Sequence, residues 1–258
     1  MRLYLWSGWA IVYRHLIELK RYAFNTLSTL ATVYLVFLLM FFGARILVGG
    51  EAMFGDTLEG LIVGFMVWTL SIVAYSELSW ALMREAQLGT LEQLYMSPAG
   101  FRWVTVCWAM GAFLTSLVFS VPIVLLMMAT TGRYLSLDVP SLLPLLLLTV
   151  SGVFGIGLAV AGLALVFKRI QAAFQILQFV FVAFLFAPSE PAWAKALPLN
   201  WGTELIGRVM VHGMRLTEMP GLDLLILLAN AVGWFGAGFL VFSVLERTAR
   251  RRGLLGHY

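Results

Sequence analysis

Few residues in this sequence of 258 could do chemistry, and those few fall in two places. In the first, a carboxylate, Glu77, lies within the apolar run FMVWTLSIVAYSELSWAL, and three amides, Gln171, Gln175 and Gln178, are spaced i, i+4 and i+7 in RIQAAFQILQFVF. That spacing puts the amides on one stripe of a helix. They would either anchor something polar against an apolar wall or bond a neighbouring helix, at about 1 kcal/mol per bond. A carboxylate at that depth is costly and faces protein or water. It would carry an ion along a pathway, or pair with an Arg at the same level, the reading favoured by sequence.

The second place is REAQLGTLEQLYMSPAG, Arg84 to Gly100, where charge, amides, a helix stop and a helix start occur together. Gly89 suits the left-handed residue that ends a helix, and Thr90 followed by Gln93 has capping-box spacing. A short helix is thus expected from Leu91, with Leu94 and Tyr95 on the same face and Glu92 and Gln93 elsewhere. Ser97 and Pro98 end it and suit the start of the next helix. The chemistry offered is recognition of a partner.

Other chemistries lack their residues. His15, His212 and His257 are scattered, and no H-E-x-x-H, G-x-S-x-G or carboxylate cluster is present, so we expect no catalytic residue and no metal site. None of Lys20, Lys168 and Lys195 follows a glycine as a phosphate-binding P-loop requires. Cys107 is the single cysteine, which removes any disulfide framework within one chain. The sequence therefore reads as a non-enzyme without a cofactor of its own.

The elements that position these residues follow from composition. With 61% hydrophobic and 12% charged residues and a mean hydropathy of +0.93, the chain lies far outside the soluble range. The expected class is an all-α integral membrane protein forming a single transmembrane domain over 1–258. Six spans of about 20 residues are expected near 26–48, 58–81, 103–130, 141–167, 170–187 and 221–245. The runs do not alternate, so transmembrane strands are a poor alternative.

Before the first span, residues 3–25 carry Leu5, Trp9, Val12, Leu16, Leu19 and Ala23 on one face and Ser7, Arg14, Glu18, Arg21 and Asn25 on the other. This predicts a helix lying in the membrane interface. The N-terminal stretch lacks the apolar core and cleavage site of a signal peptide. With both termini inside, 12 of the 17 basic residues are cytoplasmic, among them the tail Arg247, Arg250, Arg251 and Arg252, which suits anionic lipid. Six spans leave no continuous basic face for nucleic acid. The tail, 246–258, is expected to be cytoplasmic and the bundle to occupy 26–245.

Two further stretches shape the bundle. Gly152, Gly155, Gly157, Ala161 and Gly162 in the fourth span, and Gly233 with Ala237 in the last, read as close helix packing. The outer segment from Pro188 to Pro220 is broken by Pro191 and Pro198, carries Trp193 and Trp201, and has an amphipathic run of Leu205, Ile206, Val209 and Met210. It predicts a re-entrant pair of short helices dipping into or lying on the outer leaflet, with backbone at depth covered by protein or water.

Interfacial helix, six spans, the inner stretch REAQLGTLEQLYMSP and a re-entrant outer segment together resemble the membrane subunit of an ABC type-2 exporter, in the family that includes daunorubicin-exporter permeases. The most specific part is Glu85, then Leu88, Gly89, Thr90, Leu91 and Glu92, then Ser97 and Pro98. The resemblance implies that Arg84 to Ser97 is a cytoplasmic coupling helix between spans two and three, and that residues 3–25 are a connecting helix. It also implies that spans two and five wall a pathway at a dimer axis. The partners implied are a cytoplasmic ABC ATPase holding ATP and Mg, and a second permease, identical or not, in the cell membrane. Independent alternatives are an ion-coupled carrier using Glu77 and a membrane scaffold.

Overall fold

The computed structural model describes residues 9, 10, 13, 14, 17, 20–47, 58–87, 90, 93, 96, 101–167, 170–185, 187 and 191–251. The regular elements among the described residues are all helical. They are α1 (Ala23–Leu47), α2 (Leu58–Gln87), α3 (Phe101–Thr131), α4 (Val139–Phe167), α5 (Gln171–Leu185), α6 (Asn200–His212) and α7 (Gly221–Arg251). Single 3-10 turns lie at Ala194–Ala196 and Leu216–Glu218.

Five stretches are long and apolar enough to cross a membrane: Ala23–Gly43, Leu58–Glu85, Trp103–Thr131, Val139–Phe167 and Gly221–Ala249. The chain is a multi-span helical membrane protein. The expected fifth span, 170–187, differs. Its helix α5 has 15 residues, roughly 22 Å at 1.5 Å per residue, which falls short of the hydrocarbon thickness.

Trp9, Ala10, Tyr13, Arg14, Ile17, Lys20 and Arg21 each have helical backbone, and a turn at Tyr22 separates them from α1. The boundary expected after residue 25 thus falls earlier, because the Thr26 amide and hydroxyl both bond the Tyr22 carbonyl and start α1 there.

Helix α4 is the centre, packed most extensively on α7 and then on α2. Its glycines divide between the two. A Cβ on Gly155 would run into the Trp234 backbone of α7, and one on Gly162 would press on Phe242 and Leu245 at 3.1–3.2 Å. Gly157 instead faces the Tyr75 backbone of α2 at 3.2 Å. The close-packing role expected of these residues holds. On α7, however, Gly233 has nothing within 4 Å and Ala237 is exposed; Gly238 makes the close approach, against Gly155. Buried hydroxyls return to their own helices, as Thr69 does to Phe65 O and Ser71 to Val67 O, which keeps them satisfied in an apolar interior.

Candidate functional site

Aromatic side chains fix α5 on α2. Tyr75 is fully buried, its ring 5.8 Å from that of Phe174 and 5.2 Å from that of Phe181, and its hydroxyl donates to the Phe174 carbonyl at 2.9 Å. Trp80 stacks on Phe174 at 5.3 Å with an interplanar angle of 9°. The Trp68 indole N–H reaches the Gln178 carbonyl at 3.4 Å. Short α5 is held by its rings.

Glu77 lies one turn before Trp80 and is half-buried. None of the ion pairs between described residues includes it, so the expected pairing with an Arg at its own level is not found among the described residues. The ion pairs that described arginines make lie elsewhere: Arg133 on Glu59 at 3.3 Å, and Arg208 on Glu204 and Asp223. Gln175, next to Phe174, is exposed, and Gln178 is half-buried. No hydrogen bond between described residues uses either side-chain amide. Gln171 opens α5, but its side chain lies outside the described residues. The outward stripe of α5 is thus Ala172, Gln175, Ile176, Phe179 and Ala183, apolar but for one amide.

Beyond α5 the chain breaks inside the bundle, and side chains take up the freed backbone groups. Asn200, the first residue of α6, donates from Nδ2 to the carbonyls of Phe184 at 3.2 Å and Ala187 at 2.6 Å, capping the end of α5. From α7, Asn230 donates to the carbonyls of Lys195 at 2.8 Å and Leu197 at 3.1 Å, and Trp234 to that of Ala196 at 2.9 Å. Leu199 takes φ 72° to turn the chain into α6. Gly202 sits directly on Thr149 of α4, roughly 15 Å along that helix from its start.

Helix α6 then runs to the end of the bundle where α4 begins, and there Ser136 N–H donates to Met210 O at 2.8 Å. Leu205, Ile206, Val209 and Met210 are buried. The amphipathic run was legible, but its apolar face packs on α4 and α2 rather than lying on a leaflet. Arg208 holds this end with Asp223 at 3.0 Å and Glu204 at 3.3 Å, and Lys195 Nζ stands 4.0 Å over the Trp201 ring. Sequence reasoning missed Asn200 and Asn230; an amide within the run LDLLILLANAV was the available signal.

At the opposite end, α2 closes with the Thr90 N–H on the Glu85 carbonyl at 3.0 Å, the six-to-one bond of a Schellman stop. The Thr90 hydroxyl turns back to the Glu85 carboxylate, while its carbonyl accepts from Gln93 N–H at 3.0 Å. Among the described residues the expected capping box is not made: the Gln93 N–H donates to the Thr90 carbonyl rather than to its hydroxyl oxygen, and the Thr90 N–H is taken by the Glu85 carbonyl. Arg84 is exposed, as are Gln93 and Met96. Leu88, Gly89, Leu91, Glu92, Leu94, Tyr95, Ser97 and Pro98 lie outside the described residues.

A comparison with protein-family models gave no match. A search of the curated proteins gave none either. The likeness to ABC type-2 exporter permeases rests on the sequence features alone.

Proposed function

We propose that this chain is the permease subunit of an exporter driven by a separate ABC ATPase, moving an amphipathic or hydrophobic substrate outward across the cell membrane. The observation that carries the reading is two polar side chains, one on each of the packed helices α2 and α5, that no bond between described residues uses. Glu77 is half-buried without an ion-pair partner among the described residues, and Gln175 is exposed on an apolar stripe. Facing hydrocarbon, a carboxylate costs about 2.5–3.5 kcal/mol by insertion scales and an unpaired amide also costs. A second permease enclosing a wet pathway along these helices removes both costs. The resemblance, which assigns spans two and five to such a wall, agrees.

The motor reading draws on the other end. A firmly stopped α2, with Arg84 and Glu85 at its close, leads into a connection suited to docking a soluble subunit. Gly89→Val and Glu92→Lys should leave expression intact and abolish ATPase association and substrate-stimulated hydrolysis. Unchanged association in both variants overturns the docking role. The alternative, an ion-coupled carrier, draws on Glu77, which has no ion-pair partner among the described residues; it predicts transport that follows a proton or sodium gradient without ATP and stops in Glu77→Gln. A scaffold predicts neither form of transport.

A further inference from the structure

The segment before α1 builds a small basic and aromatic cleft that the transport reading does not use. Ala10, Tyr13, Arg14, Ile17, Arg21 and Tyr22 line a cavity of about 390 Å³. Arg14 and Arg21 are seven apart, so on a helix they share a face roughly 10 Å from one another. Both are exposed, as are Lys20 and the rings of Tyr13 and Tyr22. Ala10 and Ile17 add aliphatic carbon to the lining, Ile17 at a position between the two arginines.

We infer that this cleft is a binding site for one anionic phospholipid, with Arg14 and Arg21 on its phosphate and the apolar lining against its glycerol and upper acyl chain. Three observations select a lipid over other anions. The cleft adjoins the turn at Tyr22 from which α1 enters its apolar run, so it lies at the level of a membrane surface. Exposed Tyr13 and Tyr22 line it and exposed Trp9 stacks on Tyr13 at 6.3 Å, residue types that seat at headgroup depth. Its lining also combines guanidinium forks, which match phosphate geometry, with aliphatic carbon that a free phosphate does not need. Anionic headgroups attract nearby Lys and Arg in general, and two arginines lining one cavity with apolar carbon convert that attraction into a site.

The test uses the full chain, purified in a neutral detergent and titrated with phosphatidylglycerol, phosphatidylcholine or sodium phosphate while Tm is followed and bound lipid is counted by native mass spectrometry. Phosphatidylglycerol should raise Tm and leave one retained lipid, and phosphatidylcholine should do neither. Arg14→Gln with Arg21→Gln should lose at least half of the rise and the retained lipid, whereas Arg247→Gln with Arg251→Gln, an equal loss of charge, should keep both. If the double variant does not accumulate, the two single variants should each show a partial loss. Equal losses in the tail variant, or an equal rise with phosphatidylcholine, overturn the site. An equal rise with sodium phosphate makes it a simple anion site and overturns the lipid assignment. If the cleft instead holds an acidic protein, the Arg14 and Arg21 variants lose that partner with the lipid response unchanged, which also overturns it.

Discussion

Gly155 of α4 and Gly238 of α7 meet backbone to backbone: a Cβ on Gly238 would fall on the Gly155 carbonyl, and one on Gly155 would strike the Trp234 carbonyl. No rotamer relieves such a clash, because both partners are main chain. Gly238→Ala should therefore destabilise by more than about 2 kcal/mol, at or beyond the usual cost of overpacking. Gly233→Ala, at an exposed position with nothing within 4 Å, should leave stability within about 0.5 kcal/mol. Thermal unfolding in one detergent compares them, and equal losses would discard the seam.

Asn200 bridges the break between α5 and α6 with two donated bonds, while its own Oδ1 has no partner among the described residues. Asn200→Leu should cost about 1–3 kcal/mol, the penalty for leaving buried carbonyls unpaired. Asn230→Leu should behave likewise through Lys195 O and Leu197 O. Hydrogen exchange would locate the damage: faster exchange confined to the end of α5 and the start of α6 is the expected pattern, and uniform loosening of the bundle speaks against the bridging role.

The glutamines on α5 separate packing from pathway. Amides serving as interhelical bonds would each be worth about 0.6–2 kcal/mol. Neither Gln175 nor Gln178 uses its side chain in a bond between described residues. Gln175→Leu and Gln178→Leu are thus expected to change stability by less than about 0.5 kcal/mol and to alter substrate preference. Reduced stability with unchanged transport per folded molecule moves the substrate surface to α2.

Arg208 and Asp223 join α6 to α7 near the bundle end, with side chains 28% and 16% exposed. Partial exposure screens the pair, so a double-mutant cycle with Arg208→Gln and Asp223→Asn should return a coupling of about 1 kcal/mol or less. It should shrink in high salt. A coupling that ignores salt would mean that the pair is not reached by solvent ions.

Composition by itself determined the class, because an excess of apolar residues without alternation can satisfy its backbone in a membrane only as helices. Charged and proline-rich breaks located five of the long helices, and the glycines of α4 announced close contacts. Partnership was another matter. Gly233 and Ala237 have the spacing of a packing pair, yet Gly238 makes the contact, since periodicity names a face and not the helix it meets. The run 170–187 is apolar enough to span, but the break after α5 is satisfied by Asn200, Asn230 and Trp234, which come from later in the chain and donate to its freed carbonyls. Glu77 was legible as a carboxylate within a span; that no described Arg pairs with it was not, because Arg133 and Arg208 bond carboxylates brought near by the packing of α2 with the α3–α4 connection and of α6 with α7. Long-range hydrogen bonds and ion pairs settle those choices, and they exist only once the helices have packed.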